Sequence, residues 1–208
     1  AYYSINLQKI EQAQRVLVSL SKPYKETPLA KALNGQVLAR LSQFNKAIPL
    51  LREYYEINPQ SNSTGYLFTS LIRSELVPEA IDFAEKHFSK YPKDVLLRQV
   101  YADYLLIHSP NLARVQYEKL LRLNPQNYVA YNNYANLLLT ENKLKEANEQ
   151  IVKGLEIKPS SPSLLDTAGN IQIALGDKKK AIEYLEKAKK IAPFNEDILK
   201  SYKKALDI

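Results

Sequence analysis

The side chains here with chemistry to offer are two histidines, a run of asparagines and a scatter of carboxylates. His87 and His108 stand far apart, and neither has a second ligand at the spacing by which proteins hold a metal. There is no cysteine, which excludes disulfides, thiol nucleophiles and zinc–thiolate sites. No glycine-rich phosphate loop follows a strand pattern. Asp, Glu and Ser recur at intervals instead of converging on one place, so neither catalysis nor a cofactor or metal is expected. The asparagines are densest in "NPQNYVAYNNYANLLLTENKLKEANEQIVKGLEIKP", residues 124–159. An amide both donates and accepts, which suits it to holding another chain's polar groups.

Periodicity decides whether that cluster is a site or one unit of a series. Prolines recur at 59, 92, 125, 159 and 193, at spacings of 33, 33, 34 and 34. Twelve residues before each stands Ala47, Ala80, Ala113, Ala147 or Ala181, and Ala13 extends the series one period earlier. A period near 34 implies stacked helix pairs, each too small to bury its own apolar face.

The residues resemble the tetratricopeptide repeat family, whose pattern has a large residue at repeat position 4, small ones at 8 and 27, alanine at 20, a bulky one at 24 and proline at 32. In "SLLDTAGNIQIALGDKKKAIEYLEKAKKIAP" those places hold Leu165, Gly169, Ala188, Ala181, Leu185 and Pro193. In the asparagine-rich stretch they hold Tyr131, Ala135, Gly154, Ala147, Ile151 and Pro159. The resemblance implies an all-α, right-handed α-α superhelical solenoid of helix-turn-helix repeats, formed as one array. Its divisions are a partial repeat at 1–26, repeats at 27–60, 61–93, 94–126, 127–160 and 161–194, and a capping helix or the start of a further repeat at 195–208. About thirteen helices follow: six pairs, the first incomplete, and a last single one. Two units are one residue short, near "LIRSEL" and "LLIHSP".

Capping chemistry fits the same register. Ser61, Asp94, Asn127, Ser161 and Asn195 each stand two residues after a proline, where an N-cap is expected. Thr27-Pro28 and Ser161-Pro162 add proline at the favoured first helical position. Pro49 falls later in its helix, where a slight distortion is expected. Ala1 falls halfway along a first helix, so the chain reads as part of a longer array. The first unit's packing face, at Leu7, Val16 and Leu17, is therefore expected to lack cover.

In such repeats the first helix of each pair lines a concave groove, chiefly through positions 2, 5, 9, 12 and 13. The resemblance places there Ala32 and Gln36, then Tyr66 and Ser70, Gln99 and Asp103, Asn132 and Asn136, Asp166 and Asn170, with Arg40 one turn beyond Gln36. Asn132 and Asn136 share a face, whereas Asn133 is rotated away and Asn127 is a cap. The implied function is noncatalytic: a scaffold holding a protein or peptide segment. Lysine is absent from position 5, and Asp103 and Asp166 would repel a terminal carboxylate, so a neutral or mildly basic segment is expected. Most tyrosines, Tyr101, Tyr104, Tyr131 and Tyr134 among them, read as packing; Tyr66 reads as a binding anchor. His87 reads as a satisfied interior histidine and His108 as part of a turn.

The net charge is +7, and lysines crowd the last part of the chain from Lys178 onward. The second reading is therefore an electrostatic binder of anionic polymer or a membrane surface through that end. No apolar run approaches the ~18 residues of a membrane span. Nucleic-acid binding is not expected, since the groove carries acids and the tyrosines are mostly core. "NPQNYVAYNNYANLLL" and "LDTAGNIQIALGDKKKAIEYLEKA" also resemble bacterial tetratricopeptide proteins of exopolysaccharide export and PEP-CTERM sorting. That likeness implies a periplasmic or lipid-anchored parent; otherwise the cytoplasm is expected. Assembly through the incomplete first repeat is a further expectation.

Overall fold

The computed structural model describes residues 2–207, with side chains from residue 9 onward. Thirteen α-helices account for most of them: α1 Tyr2–Ser19, α2 Lys22–Lys25, α3 Pro28–Arg40, α4 Phe44–Ile57, α5 Ser63–Arg73, α6 Val77–Lys90, α7 Val95–His108, α8 Pro110–Leu123, α9 Tyr128–Thr140, α10 Leu144–Ile157, α11 Pro162–Leu175, α12 Lys178–Ile191 and α13 Glu196–Leu206. No strand occurs among the described residues. The chain is all-α, built of stacked helix pairs as the period required.

Helix contacts divide it into two compact units, one ending at Tyr101 and the other starting at Ala102. In the first, α3 packs on α4, α4 on α5, and α1 lies against α3. In the second, α9 packs on α10, α10 on α11, α11 on α12, and α13 closes on both α11 and α12. The alanines at position 20 from Ala47 to Ala181 are wholly buried, as are Leu51, Ile151 and Leu185 at position 24. Each such leucine or isoleucine removes about 1.5–3 kcal/mol worth of apolar surface from water. Glycine lets the crossing close: a Cβ on Gly35 would stand 2.8 Å from Leu51 Cγ, and one on Gly169 only 2.4 Å from Leu185 Cγ.

The turn inside the pairs repeats as faithfully. Ser42, Glu75, Asn142 and Gly176 all take positive φ at one repeat position. The next residue's N–H reaches back to close the helix, as Gln43 does to the Leu38 carbonyl and Asp177 to that of Gln172. The two short units lose their residue differently. Residues 61–93 keep the left-handed turn at Glu75, whereas α7 runs on to His108 and a single residue joins it to α8.

Three expectations need correction. Ser61 is not a cap: α5 begins at Ser63 behind Asn62, and Ser61 Oγ has no partner. His108 closes α7 instead of lying in a turn, its ring stacked on Tyr104 with centroids 4.3 Å apart. Where an incomplete helix pair was expected over the partial repeat, the chain forms one long helix, α1, followed by the short α2, because no proline or glycine breaks the run from Tyr2 to Ser19. Leu7, one of the residues expected to lack cover, lies outside those whose side chains are described. Of the remaining caps, Ser161 holds the N-cap position of α11 but its side chain makes no cap bond. Thr27, Asn127 and Asn195 side chains accept helix N–H bonds, and so does Asp177, which the register did not single out. Asp94 accepts from the N–H of Leu96 and Leu97 at 2.8 and 3.0 Å.

Candidate functional site

The polar first-helix residues are only partly available to a partner, because most bond to the next repeat. In the unit from Ala102 onward one pattern recurs three times: the position 9 side chain meets the position 6 side chain of the following first helix. Asn133 Nδ2 donates to Asp103 Oδ1 at 2.8 Å, Asn136 Nδ2 to Thr167 Oγ1 at 3.2 Å, and Asn170 Nδ2 to Ser201 Oγ at 3.0 Å. Tyr117 OH adds a second donor to Asp103 at 2.7 Å. Burial and the neighbouring Asp103 charge push the Tyr117 hydroxyl pKa well up, which keeps it a donor.

This overturns the expected separation of the asparagines. Asn133 sits beside Asp103, because position 6 faces back across the seam while position 9 faces forward. Asn132, at position 5, reaches only Asn133 Oδ1 at 3.4 Å, and its own Oδ1 is closed from water without a partner. Asp166, the position 5 residue of the next repeat, likewise has one oxygen, Oδ1, buried and unpartnered.

In the unit ending at Tyr101 the same positions are more varied. Gln36 is half-buried and donates to Asn62 Oδ1 at 3.1 Å and Ser63 Oγ at 2.8 Å. Arg40 is exposed; its Nε donates to Tyr66 OH at 2.7 Å, and its guanidinium lies 5.5 Å from the centre of the Tyr66 ring. Tyr66 is thus half-buried with its hydroxyl already engaged. Gln99 is half-buried. Ala32 and Ser70 are fully buried, which removes both from any surface that meets a partner. The seam explains Ser70: the position 6 residue that would answer it is Val100, which offers no polar atom, and Ser70 Oγ is left unpaired.

His87 is the other polar centre. It is wholly buried, with Nδ1 3.1 Å from Tyr55 OH and Nε2 3.0 Å from Asp94 Oδ2. Two bonds satisfy the ring, as an interior role requires. Among the described residues no group of three or more His, Cys, Asp or Glu could hold a metal ion, and no helix is long and apolar enough to cross a membrane.

Residues 116–150 and 163–195 each match a family profile described as the tetratricopeptide repeat. Solved structures carry the same fold over far more of the chain. YrrB, "a TPR protein with an unusual peptide-binding site", superposes with a TM-score of 0.64 at 22% identity, over 86% of this chain and 93% of its own. These findings support the tetratricopeptide repeat family. TTC0263, a thermophilic TPR protein of Thermus thermophilus, gives 0.65 at 16% identity, over 88% of this chain and all 100% of its own. Yeast Tom70 gives 0.80 at 16% identity, over 96% of this chain but only 42% of Tom70. At such identities the likeness is one of fold. No curated protein matches the sequence. Tetratricopeptide repeats generally mediate protein–protein interaction and are generally noncatalytic.

Within these repeats Asp166 is held at an energetic disadvantage. Burial raises its carboxyl pKa, and contacts with Ser201 and Asn170 offset this only in part. A raised value means the fold prefers the protonated acid. Its stabilising share is present below the ordinary carboxylate pKa of 3.8 and lost as pH rises through the folded value. Asp166→Asn is therefore expected to raise the melting temperature at neutral pH, the gain fading in acid. Thermal unfolding followed by circular dichroism across pH checks this.

Proposed function

We propose that the chain is a noncatalytic interaction scaffold that holds a protein segment along its first-helix faces, with position 5 as the reading position. The observation that carries this is the pair of unpartnered acceptors, Asn132 Oδ1 and Asp166 Oδ1, in successive repeats. An unmet buried acceptor costs about 1–3 kcal/mol. A partner that brings N–H groups, after a small side-chain rotation, recovers that cost. Two acceptors in series, one of them a carboxylate, favour a segment rich in donors and neutral or mildly basic. Within the unit from Ala102 onward, the seam residues Asp103, Asn136 and Asn170 act mainly by fixing the geometry of this face. In the unit ending at Tyr101, Gln36, Arg40, Tyr66 and Gln99 offer polar first-helix groups of their own. A narrower version puts the chain in exopolysaccharide export, supported by the resemblance of residues 124–139 and 165–188 alone.

The lysine-rich end supports the rival reading less. Lys180 pairs with Asp177 at 3.0 Å, Lys187 with Glu183 at 2.7 Å, and Lys189 lies 4.2 Å from the centre of the Tyr202 ring. Part of its charge is answered within the chain.

The test is selection of random peptides on the immobilised protein, followed by calorimetric titration. Selected peptides should be rich in donors and lose about tenfold or more in affinity against Asn132→Ala, Asp166→Ala. Reversal of Lys178, Lys179 and Lys180 to glutamate should leave that affinity within about twofold at physiological salt. Unchanged binding to the position 5 double variant removes this face from the mechanism. Loss in the lysine variant alone would favour the electrostatic reading.

A further inference from the structure

The second helix of each complete pair carries a row of exposed side chains at repeat positions 19, 22 and 26. The row is charged: Glu79, Asp82 and Lys86 on α6, and Glu146, Glu149 and Lys153 on α10. On α4 and α12 it is charged as well, Pro49 excepted. Only α8 breaks the rule. There the row reads Leu112, Val115 and Lys119, with Leu112 53% and Val115 41% exposed. At about 100° per residue the three fall within about 60° of one another around the helix. Ala113, Tyr117 and Leu120, which α8 buries, lie on another face.

Lys119 differs from its counterparts too. In α6, α10 and α12 an acid at position 22 stands one turn before the lysine at position 26. Lys86 pairs with Asp82 at 2.8 Å, and Lys187 with Glu183 at 2.7 Å. Before Lys119 that place holds Val115, which has no charge to offer. Glu118 beside it already accepts from Tyr134 OH at 3.1 Å. Arg122, almost one turn on, is exposed, and its Nε donates to the neutral Glu118 main-chain carbonyl at 3.3 Å. An apolar pair thus runs into two cations along one helix.

We propose that this row docks an amphipathic helix of a partner protein, which sets apolar side chains on Leu112 and Val115 and a carboxylate against Lys119 and Arg122. The row is exposed in every complete pair, those with a neighbour on each side included, so stacking of repeats does not cover it. A second copy is a poor match. In a two-fold contact the row would meet itself, and it brings cations with no acid to answer them. Two apolar residues and two cations also fall far short of the roughly 20–30 residues a side of a stable dimer, and suit the width of one helix. Running antiparallel to α8, the partner opens with its acid beside Lys119, where a carboxylate also suits a helix N-terminus. Apolar residues four and seven positions later then meet Val115 and Leu112. Anchors at such spacings are how an amphipathic helix is commonly read. This docking is independent of the position 5 surface.

The probe is a fluorescein-labelled, alanine-rich peptide of about 16 residues, long enough to hold a helix, with glutamate in its first turn and leucine four and seven residues after it. Anisotropy titration should give saturable binding. Leu112→Glu, Val115→Glu, which writes onto α8 the acids that α10 carries, should weaken it about tenfold or more. The same variant gives Lys119 an acid one turn before it, so its melting temperature should hold or rise, excluding misfolding. Lys119→Glu should weaken binding several-fold and flatten its salt dependence, and a peptide with lysine in place of the glutamate should recover it. Asn132→Ala, Asp166→Ala should not matter, which separates this docking from the proposed function. No saturable binding, or binding indifferent to Leu112→Glu, Val115→Glu, overturns the proposal. Concentration-dependent self-association that this variant abolishes would also overturn it, assigning the row to a second copy of the chain.

Discussion

Asp94→Ala is expected to destabilise the fold by about 2–4 kcal/mol, seen as a lower urea midpoint and melting temperature. One carboxylate does two jobs. Its Oδ1 accepts from Leu96 and Leu97 N–H, closing the start of α7, and its Oδ2 meets His87 Nε2. Losing a cap costs about 1 kcal/mol. Leaving the wholly buried His87 nitrogen unmet adds about 1–3 kcal/mol, since water cannot replace the partner. Asp94→Asn, which keeps an acceptor for the cap, should lose less. The pH dependence follows from the same contacts. Burial alone would raise the Asp94 pKa, but the bonds from His87, Leu97 and Leu96 outweigh it and hold it below the usual value. Its contribution is therefore present above the ordinary carboxylate pKa and lost as pH falls through the depressed one. Wild type and Asp94→Ala should converge in strong acid.

Gly169→Leu is expected to cost about 3 kcal/mol or more, because its first added carbon already collides. A Cβ there would lie 2.4, 2.8 and 2.9 Å from three atoms of Leu185, which is itself fully enclosed. Leu185→Ala alone should cost about 2–5 kcal/mol through the cavity it leaves. The double variant should cost clearly less than the sum, with a coupling of about 0.5–3 kcal/mol, since the new side chain fills the vacated space. Urea unfolding of the four proteins measures the cycle. Strict additivity would mean that α11 and α12 do not meet through this pair. Gly65 is the contrast: the nearest atom to an added Cβ is Val100 Cγ2 at 3.3 Å, a contact that a shift of a few tenths of an ångström relieves, so Gly65→Ala should cost far less than Gly169→Ala.

Helix pairing was legible in the sequence because every repeat restates it locally. Ala147 and Ile151 need only the period to be placed in the core, and Asn127 needs only its distance from Pro125 to be a cap. Ser61 misled because the short unit starts its first helix one residue late, behind Asn62. The polar face was harder, since a side chain's partner lies about thirty residues away on the next repeat. Asn133 looked rotated off the working face, yet it donates to Asp103. A signal was present: Asn133, Thr167 and Ser201 are polar at position 6 where Asp103, Asn136 and Asn170 are polar at position 9. The buried Ser70, facing an apolar Val100, is the same rule read in the negative.

Those matched pairs make the order of the repeats a specified property. Asp103 needs an amide or hydroxyl donor from its successor, and Asn136 and Asn170 each need a hydroxyl. A module cut out and reinserted elsewhere would present the wrong half of a pair, as a carboxylate against Leu67 or an amide against Val100. Duplication or shuffling within this chain can therefore succeed only when neighbouring units travel together, or when both halves of a junction mutate in step. The junctions, more than the individual hairpins, are the units of inheritance and of redesign.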